Sequence, residues 1–300
     1  MLAVALAISL GLSFPIQDLI TPGAVLSGLS LVAWYFHRRG CESFVATTTA
    51  LMHLAAYSMC FATAMYGVAA IGRPLVDETC IAIDASCGVS LPAIVDWCQQ
   101  HPRVAQWLTW VYATMAPQTA LVIALLGLTN RTRELQTFMW QLMIASLVAL
   151  VVFALFPAVG PFRAYGYNPA PDQVRYLAHF DALRSGERTL MTWRDAEGLI
   201  TFPSFHTAWA VLLAFAVRRN RWVFGPALLL NLAVIVSTMT TGWHYFADVL
   251  SGTVTAAAAI GLCAAFDARL FSASALFGTT WRTRLASNER RREEVCVSAN

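Results

Sequence analysis

The chain contains no lysine. All 20 of its basic residues are arginine, set against 17 acidic residues for a net charge of +3 over 300 residues. Charge of either sign is scarce: 12% of the residues are charged, where a soluble domain carries about 25%. That scarcity excludes an ordinary water-soluble globule, and no nucleic-acid partner is expected. There is no Cys-x-x-Cys pair and no zinc-type ligand spacing, so no metal and no cofactor are expected. No Gly-x-Ser-x-Gly motif is present, which removes an intramembrane serine protease. No internal repeat is present. The all-arginine usage fits a GC-rich, bacterial coding sequence.

What fills the chain instead is apolar: 58% of the residues are hydrophobic. The long uncharged runs predict an all-α, polytopic transmembrane helical bundle. Eight spans are read, near residues 2–14, 24–36, 44–71, 107–128, 135–156, 204–217, 222–240 and 246–265. Crossing a bilayer takes about 20 residues, so the first two and the sixth are short. The first lacks a basic leader and an Ala-x-Ala cleavage site, so it is kept as a membrane helix and not as a signal peptide. The organisation expected is 1–43 as two N-terminal membrane helices, 44–267 as a six-helix membrane domain and 268–300 as a basic cytoplasmic tail.

Arginine placement orients the bundle. His37-Arg38-Arg39, Arg131-Thr132-Arg133, Arg218-Arg219-Asn220-Arg221 and the tail from Arg269 to Arg292 fall on alternate connections. Those sides are cytoplasmic by the positive-inside rule. The long connections 72–106 and 157–202 then lie outside. The second carries Arg163, Arg175, Arg184, Arg188 and Arg194, balanced by Asp172, Asp181, Glu187, Asp195 and Glu197. Long loops translocate largely regardless of such charge. The location expected is a multi-pass membrane protein of a bacterial inner membrane with its site on the periplasmic side. Of seven cysteines, Cys60 and Cys263 sit in apolar spans; Cys80, Cys87 and Cys98 share the first outer connection. An oxidising exterior permits a disulfide there, with three candidate pairings.

Three segments carry chemistry. In Thr201-Phe-Pro-Ser-Phe-His206, the proline places Ser204 and His206 at a helix N-terminus, where free N–H groups and the dipole attract an anion. His206 is 12 residues from Arg218, about 18 Å along a helix, so it is recessed in a core about 30 Å thick. In Thr241-Gly-Trp-His-Tyr-Phe-Ala-Asp248, the four-residue spacing puts His244 and Asp248 on one helical face. The carboxylate can then fix which imidazole nitrogen is free. Gly242 lets backbone approach a ligand closely. An interfacial aromatic belt accounts for Trp243 and Tyr245 but not for Asp248, which about 18 uncharged residues follow. The third segment, Phe156-Pro-Ala-Val-Gly-Pro-Phe-Arg163, delivers one arginine to the outer face. Alone, Arg163 would be a snorkelling boundary residue; beside the histidine motifs it becomes the phosphate clamp. Tyr165 and Tyr167 could add hydroxyl donors.

Pro-Ser-Phe-His followed by His-x-x-x-Asp resembles the type-2 phosphatidic acid phosphatase superfamily. The longer strings Thr-Phe-Pro-Ser-Phe-His-Thr-Ala and His-Tyr-Phe-Ala-Asp-Val-Leu-Ser-Gly look most like its inositol-phosphorylceramide-synthase branch of lipid phosphotransferases. The resemblance covers about residues 135–265. It implies that His244 attacks phosphorus with Asp248 on its other nitrogen, forming a phosphohistidine. His206 then serves as acid and base. Arg163, Ser204 and helix N–H groups would hold the phosphoryl oxygens, with Gly242 and Tyr165 at the substrate. The partners implied are a membrane lipid and an alcohol or water acceptor. The chain departs from the phosphatases in lacking Lys-x6-Arg-Pro, and in placing Ser237-Thr238 where they show Ser-Arg. Both departures point to a phosphotransferase; the alternative is a phosphatase acting on phosphatidic acid, phosphatidylglycerophosphate or prenyl diphosphate. A haem protein using both histidines would leave Asp248 without a role. A transporter would need pore charges in several spans, where Asp248 is the clear one.

Overall fold

Where no water reaches the backbone, each N–H and C=O must bond within its own segment, which only helices and closed barrels achieve. The computed structural model describes residues 15–187, 192 and 196–266. Among the described residues the regular structure is helical throughout. Twelve helices follow the 3₁₀ turn Ile16–Leu19: α1 Ile20–Arg38, α2 Glu42–Ala70, α3 Asp77–Ser86, α4 Leu91–Gln100, α5 Pro102–Tyr112 and α6 Met115–Leu128. The second half holds α7 Thr132–Leu155, α8 Pro161–Ala164, α9 Pro171–Arg184, α10 Phe205–Ala216, α11 Arg221–Thr240 and α12 Phe246–Ala265. The expected first span, the basic tail, and Arg188, Arg194 and Asp195 lie outside the described residues.

Among the described residues five helices are long and apolar enough to cross a bilayer, or up to seven if the bent pairs α3–α4 (85°) and α5–α6 (44°) each count as one span. The protein is therefore a polytopic helical membrane protein. Both long connections are partly helical: α3 and α4 occupy the first, α8 and α9 the second. Local chemistry sets the ends. Asn220 caps α11 by accepting from the Trp222 N–H at 3.2 Å, and Ser90 caps α4 through the Ala93 N–H. Asn130 turns the chain between α6 and α7 with φ +57°, a left-handed conformation that asparagine tolerates.

Short α10 is the axis of the bundle, packed against α6, α7, α11 and α12. Ala208, Ala210, Leu212 and Leu213 on it are buried. The outer faces of the long helices stay apolar, with Leu31, Leu121, Val151, Leu229 and Val254 exposed, as lipid contact allows. Lipid tails supply no hydrophobic drive between helices, so close packing and polar pairs hold them. Asn231 donates to Gln118 across α11 and α6 at 2.9 Å. Tyr57 meets Ser146 across α2 and α7 at 2.6 Å. At Gly252 on α12, an added Cβ would overlap the Ser204 carbonyl oxygen ahead of α10. The helix–helix approach nearest the two histidines therefore exists because that residue has no side chain.

Candidate active site

The two histidine segments meet because two helix N-termini are laced together. Ser204 is the N-cap of α10: its hydroxyl accepts from the Thr207 N–H at 3.2 Å and the Thr207 hydroxyl at 3.0 Å. It is fully buried. The Ser204 N–H donates to the Asp248 carbonyl at 3.0 Å, tying the start of α10 to the first turn of α12. His206 follows as the second residue of α10. Pro203 sits before the cap, outside the helix, so the placement of Ser204 and His206 rests on the serine and not on the proline.

His244 and Asp248 do pair, but not on one helical face. The helix starts at Phe246 with Tyr245 as its N-cap, so His244 precedes it. Asp248 turns back as a capping carboxylate: Oδ2 accepts from the Tyr245 N–H at 2.8 Å and meets His244 Nδ1 at 3.2 Å. With Nδ1 donating to the carboxylate, Nε2 carries the free lone pair. Oδ1 of Asp248 finds no hydrogen-bond donor among the described residues; the Cys80 thiol lies beside it. His244 is buried, and burial lowers its pKa to about 4, against a smaller opposing pull from the Thr201 backbone. The imidazole is thus neutral at ordinary pH. The ring centroids of His206 and His244 are 5.8 Å apart. His206 Nδ1 meets the Tyr112 hydroxyl at 3.3 Å, with the rings stacked at 4.5 Å.

The other sequence candidates sit in an outer layer. Arg163, on one-turn α8, is exposed and its guanidinium is paired with Asp181. Tyr165 is half-buried beside Tyr167 and Tyr245, at 5.8 and 6.5 Å between ring centroids. Burial raises its pKa and pushes Tyr167 up to about 12, so both remain hydroxyl donors. Gly242 adopts φ +75°, and its carbonyl accepts from the Phe162 N–H at 3.2 Å. This bond joins the Arg163 segment to the His244 segment. Trp243 and Tyr245 are not an interfacial belt: Tyr245 is fully buried, and Trp243 packs edge-on against Phe162 and Tyr176.

Two buried aspartates on α3 were not singled out in the sequence. Asp77 accepts from the Val159 and Gly160 N–H groups at 3.0 and 2.9 Å and from the Tyr245 hydroxyl at 2.9 Å. Gly160 takes φ +112°, and a Cβ there would lie 3.1 Å from the Trp243 carbonyl. Asp84 accepts from the Phe246 and Ala247 N–H groups at 3.0 and 2.8 Å, supplying from another helix the acceptors that the α12 N-terminus lacks. Their seven-residue spacing, which brings both to one helical face, was the available signal. In sequence this region is an outer connection that carries three cysteines. Those cysteines, Cys80, Cys87 and Cys98, are all free; Cys80 and Cys98 are buried.

Beside His206 lies a cavity of about 410 Å³ between α2, α7 and α10. Phe61, Met65, Leu142, Phe205 and Trp209 line it, and Glu197 stands among them. A mostly apolar cleft of this size with few polar groups suits a small or chain-like apolar ligand.

A family model described as the PAP2 superfamily matches residues 78–262. The match opens one residue after Asp77 and contains both histidine segments. No curated protein and no solved structure matches the chain.

Proposed function

The chain belongs to the PAP2 superfamily, and we propose that it is a lipid phosphotransferase that moves a phosphoryl-linked head group between lipids through a phosphohistidine. The observation that carries this reading is the facing pair of rings 5.8 Å apart, one of them held by a buried carboxylate at 3.2 Å. His244 Nε2 attacks phosphorus, forming the N–P bond as the bond to the leaving oxygen breaks. Asp248 balances the positive charge on the phosphorylated ring. Protonated His206 gives its proton to the leaving oxygen; as a neutral base it then takes the proton of the acceptor alcohol, whose oxygen displaces His244. The cavity beside His206 would take an apolar chain of the lipid.

A phosphodiester donor suits the electrostatics better than a phosphomonoester, which carries more charge. Three carboxylates, Asp77, Asp84 and Asp248, are buried around the site. Thr238, at the position where the phosphatases resembled in sequence show arginine, is buried with its hydroxyl turned back to the Ile235 carbonyl at 2.7 Å. Turnover of a phosphodiester lipid with an alcohol acceptor is therefore expected to exceed phosphate release from phosphatidic acid or prenyl diphosphate. Efficient phosphate release that no alcohol alters would instead assign a phosphatase.

Arg163 follows Phe162, whose N–H is bonded to the Gly242 carbonyl, and it would clamp phosphate by exchanging Asp181 for the substrate. Lysine keeps the charge and loses the planar fork. Arg163→Lys is then expected to lower turnover by about one to two orders of magnitude, as loss of a charge-assisted hydrogen bond worth about 1.5–3 kcal/mol implies, with normal expression. Turnover near the parent value would confine Arg163 to its surface pair with Asp181.

A further inference from the structure

At the end of the bundle remote from the histidines, the first turns of α7 and the C-terminal ends of α10 and α12 enclose a second cavity of about 300 Å³. Arg133, Arg218 and Arg219 line it together with one carboxylate, Glu134. Glu134 is taken by Arg219 at 3.2 Å. Among the described residues, neither Arg133 nor Arg218 forms a salt bridge; Glu134 attracts Arg218 only from a distance. Arg218 lies over the Phe215 ring, 3.6 Å from its centroid, and donates to the Phe215 carbonyl at 2.7 Å, which neutralises the helix end that would otherwise repel an anion. Deeper in the same cavity is Gln141, 3% exposed. It is one of the residues that line the cavity, and its side-chain amide faces no hydrogen-bond partner among the described residues. Eight residues separate Gln141 from Arg133, about 12 Å along the helix. Phe138 and Ile260 supply apolar wall between them.

We propose that this cavity binds a phosphate-bearing anion, with guanidinium groups at the rim on the phosphate and the Gln141 amide on polar groups below it. An anionic phospholipid offers that arrangement: a charged head, a glycerol ester one level down, and chains continuing along apolar wall. Basic pockets between membrane helices near the bilayer surface bind such head groups. The site is separate from the histidines, and nothing in its argument depends on the reaction proposed above.

The test uses the full chain in a neutral detergent. Short-chain phosphatidylglycerol, short-chain phosphatidylcholine and inorganic phosphate are titrated while the melting temperature is followed. Phosphatidylglycerol is expected to raise it saturably, and phosphatidylcholine is not. Each basic group near an anionic lipid contributes roughly fivefold in affinity. Arg133→Gln should thus weaken binding about fivefold, and Arg133→Gln with Arg218→Gln about 25-fold. Both arginines are exposed, so the fold should tolerate these changes, and melting without lipid checks it. His244→Ala should leave the lipid effect intact. A saturable effect of inorganic phosphate, lost in the same double variant, would identify a soluble anion as the source; an effect of the lipid alone would identify the membrane. Binding unchanged in the double variant, equal stabilisation by phosphatidylcholine, or loss of the effect in His244→Ala would overturn the assignment.

Discussion

His244→Ala is expected to abolish both turnover and the phosphoryl adduct, whereas His206→Ala should lower turnover by about 10²–10⁴-fold while leaving the adduct-forming residue in place. The asymmetry follows from the geometry. Asp248 takes Nδ1 of His244, which leaves Nε2 as the attacking atom of the proposed reaction. In the proposed reaction His206 moves protons, so a donor whose leaving group departs as a stable anion, such as an aryl phosphodiester, should recover much of the loss in His206→Ala and none in His244→Ala. The adduct should be acid-labile and base-stable, as a phosphorus–nitrogen bond requires. Label that survives His244→Ala, or an acid-stable adduct, would refute the assignment. Burial adds a pH signature. With the His244 pKa lowered to about 4, the nucleophile stays unprotonated well into acid. The acid limb of adduct formation should then fall near that value and not near the ordinary imidazole range.

Gly252→Ala should cost roughly 10²-fold in turnover although the residue carries no functional group. Its Cβ would overlap the Ser204 carbonyl oxygen and press on the Thr207 side chain, and backbone cannot yield as a flexible side chain does. Overpacking of this kind costs about 1–3 kcal/mol. The relief available is to part α12 from α10, which carries His244 away from His206. A displacement of about 1 Å between reacting groups costs on the order of 10²-fold. Gly261, on the same helix, is the control: nothing lies within 4 Å of a Cβ there. Gly261→Ala should keep full turnover and gain up to about 1 kcal/mol from helix propensity. Equal activity in the two variants would mean that the contact at Gly252 does not set the histidine spacing.

The sequence made the apolar helices and the histidine segments legible because each is a local pattern. The runs behind α2, α7, α11 and α12 are long and uncharged, and their ends agree with the structure within a few residues. Hydropathy could not reveal that α3 and α4 fold back at 85°, since a bend between two short helices leaves no periodic trace. His206, His244 and Asp248 stood out as polar groups in apolar surroundings. Asp77, Asp84 and Tyr112 did not, because their partners are distant in the chain: Tyr112 meets a ring 94 residues away. The His244–Asp248 contact was anticipated through the wrong local geometry, a shared helix face instead of a capped N-terminus. Both put a carboxylate four residues from an imidazole, and spacing alone does not distinguish them.

The bonds from Asp77 and Asp84 to the α12 N-terminus and Tyr245 join residues 162 to 168 positions apart. In time, this means that the two carboxylates are synthesised long before the groups that satisfy them. Until α12 emerges, the growing chain holds both acids without those partners, a costly condition once water is excluded. The centre therefore closes last, and a chain ending before α12 would carry an open, charged seam between its helices.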